Sequence, residues 1–339
     1  MRPPASLALL AFFAVTVTIF CLFAPNFATA SNVENIMSGF SFIAILAMGQ
    51  AFPILLRGID LSIGAIVALA GMVAFDLTLV LQVPGYIILP LALLAATGAG
   101  ALNGMLIVYL RLQPFIATLA TLAAYRGLVY AISGRLLFPE LATTPVSDPW
   151  ILGVETYFDI GGTLGISDYV HMPWFPLSFF LMIALLVIFQ VLLFSTRFGR
   201  DLYTVGGNQE AARLAGINTR KVTIITYALS GFCAGVAALV LVARLTTSTE
   251  ALGTGMELTA ISSAVIGGVS LQGGVGSMFG PVIGSFLLGV VLIGLTLLGA
   301  SQYVQQVLTG AILLAAICYD RFQVVQRQRR SAAKILAAA

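Results

Sequence analysis

The stretch YIILPLALLAATGAGALNGMLIVYL, residues 86–110, carries no charged side chain. At a rise of about 1.5 Å per residue, a helix of this length crosses a hydrocarbon core of about 30 Å. Helix is favoured because lipid cannot satisfy free backbone N–H and C=O groups. A transmembrane β-barrel would show short segments of alternating polarity, whereas this run is continuous. The stretch therefore predicts a membrane-spanning helix.

The rest of the chain has the same character. Hydrophobic residues make up 60% of the sequence and charged residues only 9%, whereas about 25% of a soluble domain is charged. So few charges cannot cover a water-facing surface, which predicts an all-α membrane protein. The net charge of +3 does not indicate nucleic-acid binding, because the basic residues lie at the ends of the apolar runs.

We predict a single transmembrane domain over 1–339 with about ten crossings. The first run could also be the core of a secretory signal peptide, but it is longer than usual, so we expect it to be retained. The predicted helices lie at 5–24, 38–56, 60–81, 86–110, 113–133, 174–194, 222–244, 257–269, 276–298 and 302–320.

Lysine and arginine set the orientation, since they favour cytoplasmic segments. With the N-terminus inside, the basic residues of 196–221 and of the tail 321–339 fall in the cytoplasm, and both termini are cytoplasmic. The acidic segment 134–173 then lies outside, where we expect it to help dock a soluble partner.

The sequence lacks the residue sets that catalysis would need. Its only lysines, Lys221 and Lys334, do not follow a glycine-rich phosphate loop. Its single histidine, His171, excludes a His-Glu-x-x-His zinc site. We therefore predict no catalytic residue, cofactor or metal site, and no ATPase activity for the isolated chain.

Ionisable residues inside predicted helices are few, which makes them candidates for a gating or structural role. Asp60 is expected to cap the third helix or to act in gating. Asp76 and Arg126 lie at similar depth on two outward-running helices, so we predict that they form a buried ion pair. Glu257 is the fourth candidate.

One polar loop interrupts the apolar pattern: LYTVGGNQEAARLAGINTRK, residues 202–221. Asn208 is a good N-cap and Gly216 a good stop, which predicts a helix over 209–215. Gly206 and Gly207 would allow a sharp turn before it. Ala211, Leu214 and Ala215 would share one face, with Glu210 and Arg213 on the other.

That short helix could lie on lipid, but its small alanine face favours a protein partner. The candidate coupling residues are Gly206, Gly207, Asn208, Glu210, Ala211, Ala212, Arg213, Leu214 and Gly216.

Two further patterns concern packing. Residues 58–64 and 268–274 match each other weakly, as a short internal repeat would. We interpret LQGGVG (271–276) as a tight turn. Small residues recur at spacings that let helices approach closely in lipid. They are Gly100 and Gly104, Gly231 and Gly235, and Gly276, Gly280 and Gly284.

Four stretches together resemble a known family. They are GIDLSIGAIVALAG (58–71), PFIATLATLAAYRG (114–127), TRFGRDLYTVGGNQEAARLAGINTRKV (196–222) and GTGMELTAISSAVIGGVSLQGGVGSMFGPVIG (253–284). They resemble permease subunits of bacterial ATP-binding-cassette importers of ribose, xylose, arabinose and galactosides. Where Arg57 stands, this family usually has a second glycine.

The resemblance implies a ten-helix permease in the bacterial inner membrane that pairs with a second permease subunit, identical or different. It implies a cytoplasmic ATP-binding subunit with two nucleotide-binding halves, where ATP is hydrolysed, and a periplasmic sugar-binding protein. A permease for branched-chain amino acids and a secondary transporter or channel remain as alternatives.

Overall fold

The computed structural model describes residues 5–133, 145–158 and 175–338. Its described part is almost entirely helical, and its only strands there are the antiparallel pair β1 (Tyr157–Phe158) and β2 (Phe175–Pro176). This confirms the predicted all-α membrane class. Of the segment 134–173, residues 134–144 and 159–173 lie outside the described part, as does His171.

The helices follow the predicted order, with extra short helices in the connections. They are α1 (Ala5–Phe23), α2 (Ala30–Leu55), α3 (Ile63–Leu79), α4 (Gly85–Tyr109), α5 (Pro114–Ile132), α6 (Pro149–Leu152), α7 (Leu177–Ser195), α8 (Arg197–Gly207), α9 (Gln209–Leu214), α10 (Thr219–Leu245), α11 (Met256–Ile266), α12 (Phe279–Leu297) and α13 (Gln302–Ala338). A 3-10 turn, Gly153–Glu155, follows α6.

Among the described residues, six helices are long and apolar enough to cross a membrane: α2, α4, α5, α7, α10 and α12. Shorter apolar helices occupy Leu9–Phe23, Ile63–Leu79, Met256–Ile266 and Gln302–Cys318. Each predicted crossing thus contains an apolar helix. Helix α11, which overlaps the predicted crossing 257–269, has only 11 residues and spans about 16 Å, so it is too short to cross the hydrocarbon core by itself.

Two other helix boundaries differ from the predictions for local reasons. Helix α2 begins at Ala30 instead of 38, because Thr29 caps it by accepting a hydrogen bond from the Asn32 N–H at 3.4 Å. Its first turns are polar, which hid them from a hydropathy pattern. Helix α13 continues through the basic tail to Ala338, since the alanine, glutamine, arginine and lysine of that tail favour helix.

We call the end of the bundle that carries α8 and α9 the basal end, and the opposite end, which carries residues 145–158, the distal end. Helices α2 and α10 form the centre of the bundle, and most of their apolar windows are buried. Helix α4 packs along α10, and α11 packs along the basal half of α12.

Glycines allow these close helix contacts, as their spacing predicted. Gly100 of α4 lies against Gly231 of α10, where a Cβ atom would overlap the carbonyl oxygen of Tyr227. Gly284 of α12 approaches Ser263 of α11 in the same way. Backbones in contact gain dispersion energy that lipid does not supply.

We predict that Gly100→Ala destabilises the protein by about 1–3 kcal/mol, because the added methyl group forces α4 away from α10. Gly98→Ala on the same helix is the matched control, since no atom lies within 4 Å of the position of its Cβ. Thermal unfolding of the purified variants in one detergent measures both effects. Equal melting temperatures for the two variants would contradict the packing argument.

Candidate functional site

Two helices, not one, form the polar loop at the basal end. Thr196 caps α8 by accepting a hydrogen bond from the Gly199 N–H at 3.2 Å. Asn208 caps α9 by accepting from the Ala211 N–H at 3.0 Å, and Gly216 follows α9 with a φ of 82°. The predicted N-cap and the predicted glycine stop are therefore confirmed.

Gly206 and Gly207 do not form the sharp turn that we predicted. Both are helical residues at the end of α8, and the chain changes direction at Asn208, which is extended. Gly206 is required for a different reason: a Cβ atom there would overlap the carbonyl oxygen of Leu55. Gly207 is open, with no atom within 4 Å of the position of its Cβ.

The exposed face of α9 matches the prediction in part. Ala211 and Ala215 are exposed, and Leu214 is 79% exposed. Ala212 is fully buried and packs into this chain's own core with Val205. Ala212 therefore attaches α9 to the bundle and belongs to the face opposite the one available to a partner.

The two charged residues of α9 bind each other. Arg213 donates to Glu210 at 2.7 Å, and both side chains are exposed. A fully exposed pair of this kind contributes little to stability, because water screens it. Its carboxylate and guanidinium remain at the edge of the exposed apolar face.

Arg57 joins this loop to the start of the third helix. Its Nε donates to the carbonyl oxygen of Gly206 at 2.7 Å, and its Nη2 donates to that of Gly207. The backbone of Arg57 is left-handed, with φ at 64°, which explains why glycine would suit the position. A left-handed non-glycine residue costs about 1–2 kcal/mol, and the charge-assisted hydrogen bonds offset that cost.

The turn between α11 and α12 meets the same point. The Gly274 N–H donates to the carbonyl oxygen of Leu55 at 2.9 Å. The Tyr203 hydroxyl donates to that of Gly276 at 2.7 Å. Burial raises the pKa of Tyr203 to about 12, so this donor stays protonated at physiological pH. We call the contact of Leu55–Arg57, Tyr203–Gly207 and Gly273–Gly276 the basal junction.

Three residues beyond Arg57, the Asp60 side chain is fully buried. Its Oδ1 accepts from the Ser62 N–H at 3.0 Å and from the Ser62 hydroxyl at 2.7 Å. Its Oδ2 accepts from the Ser230 hydroxyl of α10 at 2.8 Å. The predicted helix cap is therefore wrong: Ser62 occupies the N-cap position of α3, and Asp60 lies inside the bundle.

Polar side chains extend this contact to α4 and α5. Asn103 donates to the Ser62 hydroxyl at 2.7 Å, and the Tyr125 hydroxyl donates to the Asn103 side chain at 3.1 Å. We call Asp60, Ser62, Asn103, Tyr125 and Ser230 the Asp60 network.

The predicted Asp76–Arg126 ion pair is replaced by other contacts. Arg126 donates to the backbone carbonyl oxygens of Glu250 at 2.8 Å and of Leu252 at 2.7 Å. Glu257, in the first turn of α11, is close enough to attract the guanidinium. Asp76 lies near the distal end of α3.

A cleft of about 490 Å³ lies between α11 and α13, and polar side chains are set among apolar walls that include Leu258, Leu292 and Leu313. The α11 side contributes Thr254, Thr259 and Ser262, and the α13 side contributes Gln302, Gln305, Gln306 and Thr309. No charged residue lines it among the described residues. Its walls can donate and accept hydrogen bonds without favouring an ionic ligand.

Comparison with known proteins places this arrangement in a family. Residues 32–317 match the family described as the branched-chain amino acid transport system permease component. The chain belongs to this permease family. No solved structure matches it.

Relatives with specific descriptions cover nearly the whole chain. The ribose import permease protein RbsC of Escherichia coli (strain K12) is 35% identical over 94% of each chain. The L-arabinose transport system permease protein AraH of the same strain is 35% identical over 95% of this chain and 92% of its own. The galactose/methyl galactoside import permease protein MglC of Salmonella typhimurium is 34% identical over 90% of each.

Sequence reasoning missed most partners of Asp60 and the role of Arg57. Asn103 and Ser230 are polar residues within otherwise apolar helices, and that is a signal of buried hydrogen bonding. Nothing in the sequence around Arg57 indicates that its side chain reaches carbonyl groups that are 149 and 150 positions away.

We predict that Asp60→Ala destabilises the protein by several kcal/mol, since each buried partner left without an acceptor costs about 1–3 kcal/mol. Asp60→Asn, which keeps an acceptor for Ser62, should be milder. Asp201→Ala, on α8, controls for the loss of a carboxylate. Folded yield and melting temperature after extraction measure the effects; Asp60→Ala equal to Asp201→Ala would show that the network does not stabilise the fold.

Proposed function

We propose that this chain is the membrane permease subunit of an ATP-binding-cassette importer that takes up a monosaccharide across the bacterial inner membrane. The observation that carries the proposal is the match with three sugar permeases over at least nine-tenths of both chains. The ligands in their printed names are all sugars or sugar glycosides, which favours a sugar over a branched-chain amino acid.

The cleft between α11 and α13 also favours a sugar as the substrate. A monosaccharide presents hydroxyl groups that donate and accept hydrogen bonds, and the amide and hydroxyl groups of Gln305, Gln306, Thr259 and Ser262 match them. A free amino acid carries an ammonium and a carboxylate group, and the described lining offers neither a carboxylate nor a cation to pair with them.

A second permease subunit would complete this pathway. Gln302 and Gln306 are exposed on the apolar first half of α13, and exposed amides are costly against lipid. A second copy, or a homologous subunit, placed against α13 would cover this polar face and enclose the cleft between the two chains.

ATP is hydrolysed on a separate cytoplasmic subunit in this proposal, and α9 is where that subunit contacts the permease. The exposed residues Ala211, Leu214 and Ala215 form the contact, with Glu210 and Arg213 at its edge. A displacement of α9 and α8 reaches Arg57 through Gly206 and Gly207. It then reaches the Asp60 network, which connects α3, α4, α5 and α10.

The distal end faces the periplasm in this proposal, where a sugar-binding protein docks. Trp150 is 60% exposed, and Tyr157 and Phe158 are also exposed there. Glu155 is buried instead and accepts a hydrogen bond from Ser38, so it positions the segment and offers no surface to a partner.

Cysteine labelling tests this orientation. In a background without Cys21, Cys233 and Cys318, Trp150→Cys should react with an impermeant maleimide added outside intact spheroplasts. Leu214→Cys should react only after the membrane is opened. Both side chains are exposed, so access and not burial decides the result, and the reverse pattern would refute the orientation.

The coupling role of α9 is tested by Gly207→Asp and Leu214→Glu. Both sites are open in this chain, so we expect normal membrane levels but loss of sugar uptake. In the complex reconstituted with its ATPase and binding protein, ATP hydrolysis should no longer respond to the sugar-loaded binding protein.

Gly206→Ala is the structural contrast. It creates an overlap with Leu55 and should lower the folded yield itself. Normal uptake by both Gly207→Asp and Leu214→Glu would show that the ATPase contacts the permease elsewhere.

A further inference from the structure

A second cavity, about 340 Å³ in volume, lies at the basal end of the bundle. We propose that it binds a phosphate group, carried either by an anionic lipid of the adjoining leaflet or by a soluble phosphate ester. Its walls come from four parts of the chain: the α2–α3 turn, the basal end of α4 with the turn after it, the α8–α9 region and the start of α10.

The charge of the walls selects an anion. Arg111 and Arg220 line the cavity, and no acidic residue does. Within the described part of the chain, neither guanidinium is recorded in a hydrogen bond or an ion pair. Arg111 also has a left-handed backbone, with φ at 55°, a conformation that a non-glycine residue adopts at a cost. Two unengaged guanidinium groups match the oxygens of a phosphate.

An unpartnered buried hydroxyl points to the same ligand. Tyr227 is 1% exposed and lines the cavity beside Gly58. Among the described residues, its hydroxyl group has no hydrogen-bond partner, and a buried donor left unpaired is costly. A phosphate oxygen would accept that bond. Asp60 is near Tyr227 but does not line the cavity, and its two oxygens already accept from Ser62 and Ser230.

The start of α10 adds a further favourable field. Thr219, the first residue of this 27-residue helix, lines the cavity with Thr223 one turn later. The positive end of a helix dipole stabilises an anion placed at the N-terminus. Guanidinium groups, a buried hydroxyl and a helix N-terminus therefore converge on one small volume.

A ligand in this cavity would contact the polar loop at the junction of α8 and α9. Val205 and Gln209 line it on either side of Gly206–Asn208. An occupied cavity would hold the end of α8 and the start of α9 against α4 and α10. Regulation of ATP-driven transport through this contact rests on the proposed coupling role of α9, whereas the binding itself does not.

Binding is tested on the purified, delipidated permease without ATPase. In the soluble arm, inorganic phosphate or glycerol 3-phosphate is added at constant ionic strength, with chloride as the reference. In the lipid arm, the protein is placed in phosphatidylcholine nanodiscs with or without phosphatidylglycerol. Ligand that binds only the folded state raises the melting temperature, and the rise grows with the logarithm of the ligand concentration above the Kd.

We expect a rise of several degrees in one arm, and that arm identifies the source of the phosphate. The rise should be abolished in Arg111→Gln and reduced in Arg220→Gln and in Tyr227→Phe, which removes only the hydroxyl group. It should persist in Arg200→Gln, because Arg200 is exposed on α8 and does not line the cavity.

No rise in either arm, or an equal rise in all four variants, would overturn the proposal. Since the readout needs neither sugar nor ATP, failure of the phosphate site is distinguishable from failure of the proposed transport function.

Discussion

The fold depends on one carboxyl group, that of Asp60, which is fully buried inside the protein. Asp60 is retained there because three donors, from Ser62 and Ser230, bind its two oxygens. Ser230 lies about 16 Å along α10 from Thr219, at 1.5 Å per residue, so the irregular segment before α3 turns back deep inside the bundle. Such non-helical backbone is tolerated at membrane depth only where protein satisfies its polar groups. Here the Asp60 side chain accepts from the Ser62 N–H, and the Thr118 hydroxyl donates to the carbonyl oxygen of Ile59.

In the second irregular segment, residues 246–255, two carbonyl oxygens are bound by a basic side chain. Arg126 donates to its carbonyl oxygens at Glu250 and Leu252. The two segments meet where Gly64 contacts Gly253, so α3 and α11 begin close together and run toward opposite ends. A carboxyl group thus binds backbone of one interrupted stretch and a guanidinium group backbone of the other. Arg126 therefore satisfies carbonyl groups instead of a carboxylate, and the prediction that it pairs with Asp76 was wrong.

The correct sequence predictions were those that depend on local chemistry. Apolar runs located the helices, Asn208 and Gly216 bounded α9, and glycine spacing indicated close helix packing, though not which helices meet. The corrected predictions depend on where distant segments meet. Helical spacing grouped the alanines of α9 but could not tell that Ala212 faces the core. Hydropathy placed the end of this apolar run at 269, whereas α11 ends at Ile266 and Gly268 follows it with a φ of 88°.

Arg57 shows how one substitution changes the mechanics of such a junction. Glycine, which this family usually has here, would adopt the left-handed turn without strain, but it offers no side chain to the loop. Arginine strains the turn, and its side chain donates two hydrogen bonds to the carbonyl oxygens at the end of α8. Asp60, three residues further on, is hydrogen-bonded through both oxygens to Ser62 and to Ser230 of α10. In this chain the end of α8 is therefore attached to a turn that continues into the interior of the bundle, by two hydrogen bonds that a glycine could not make.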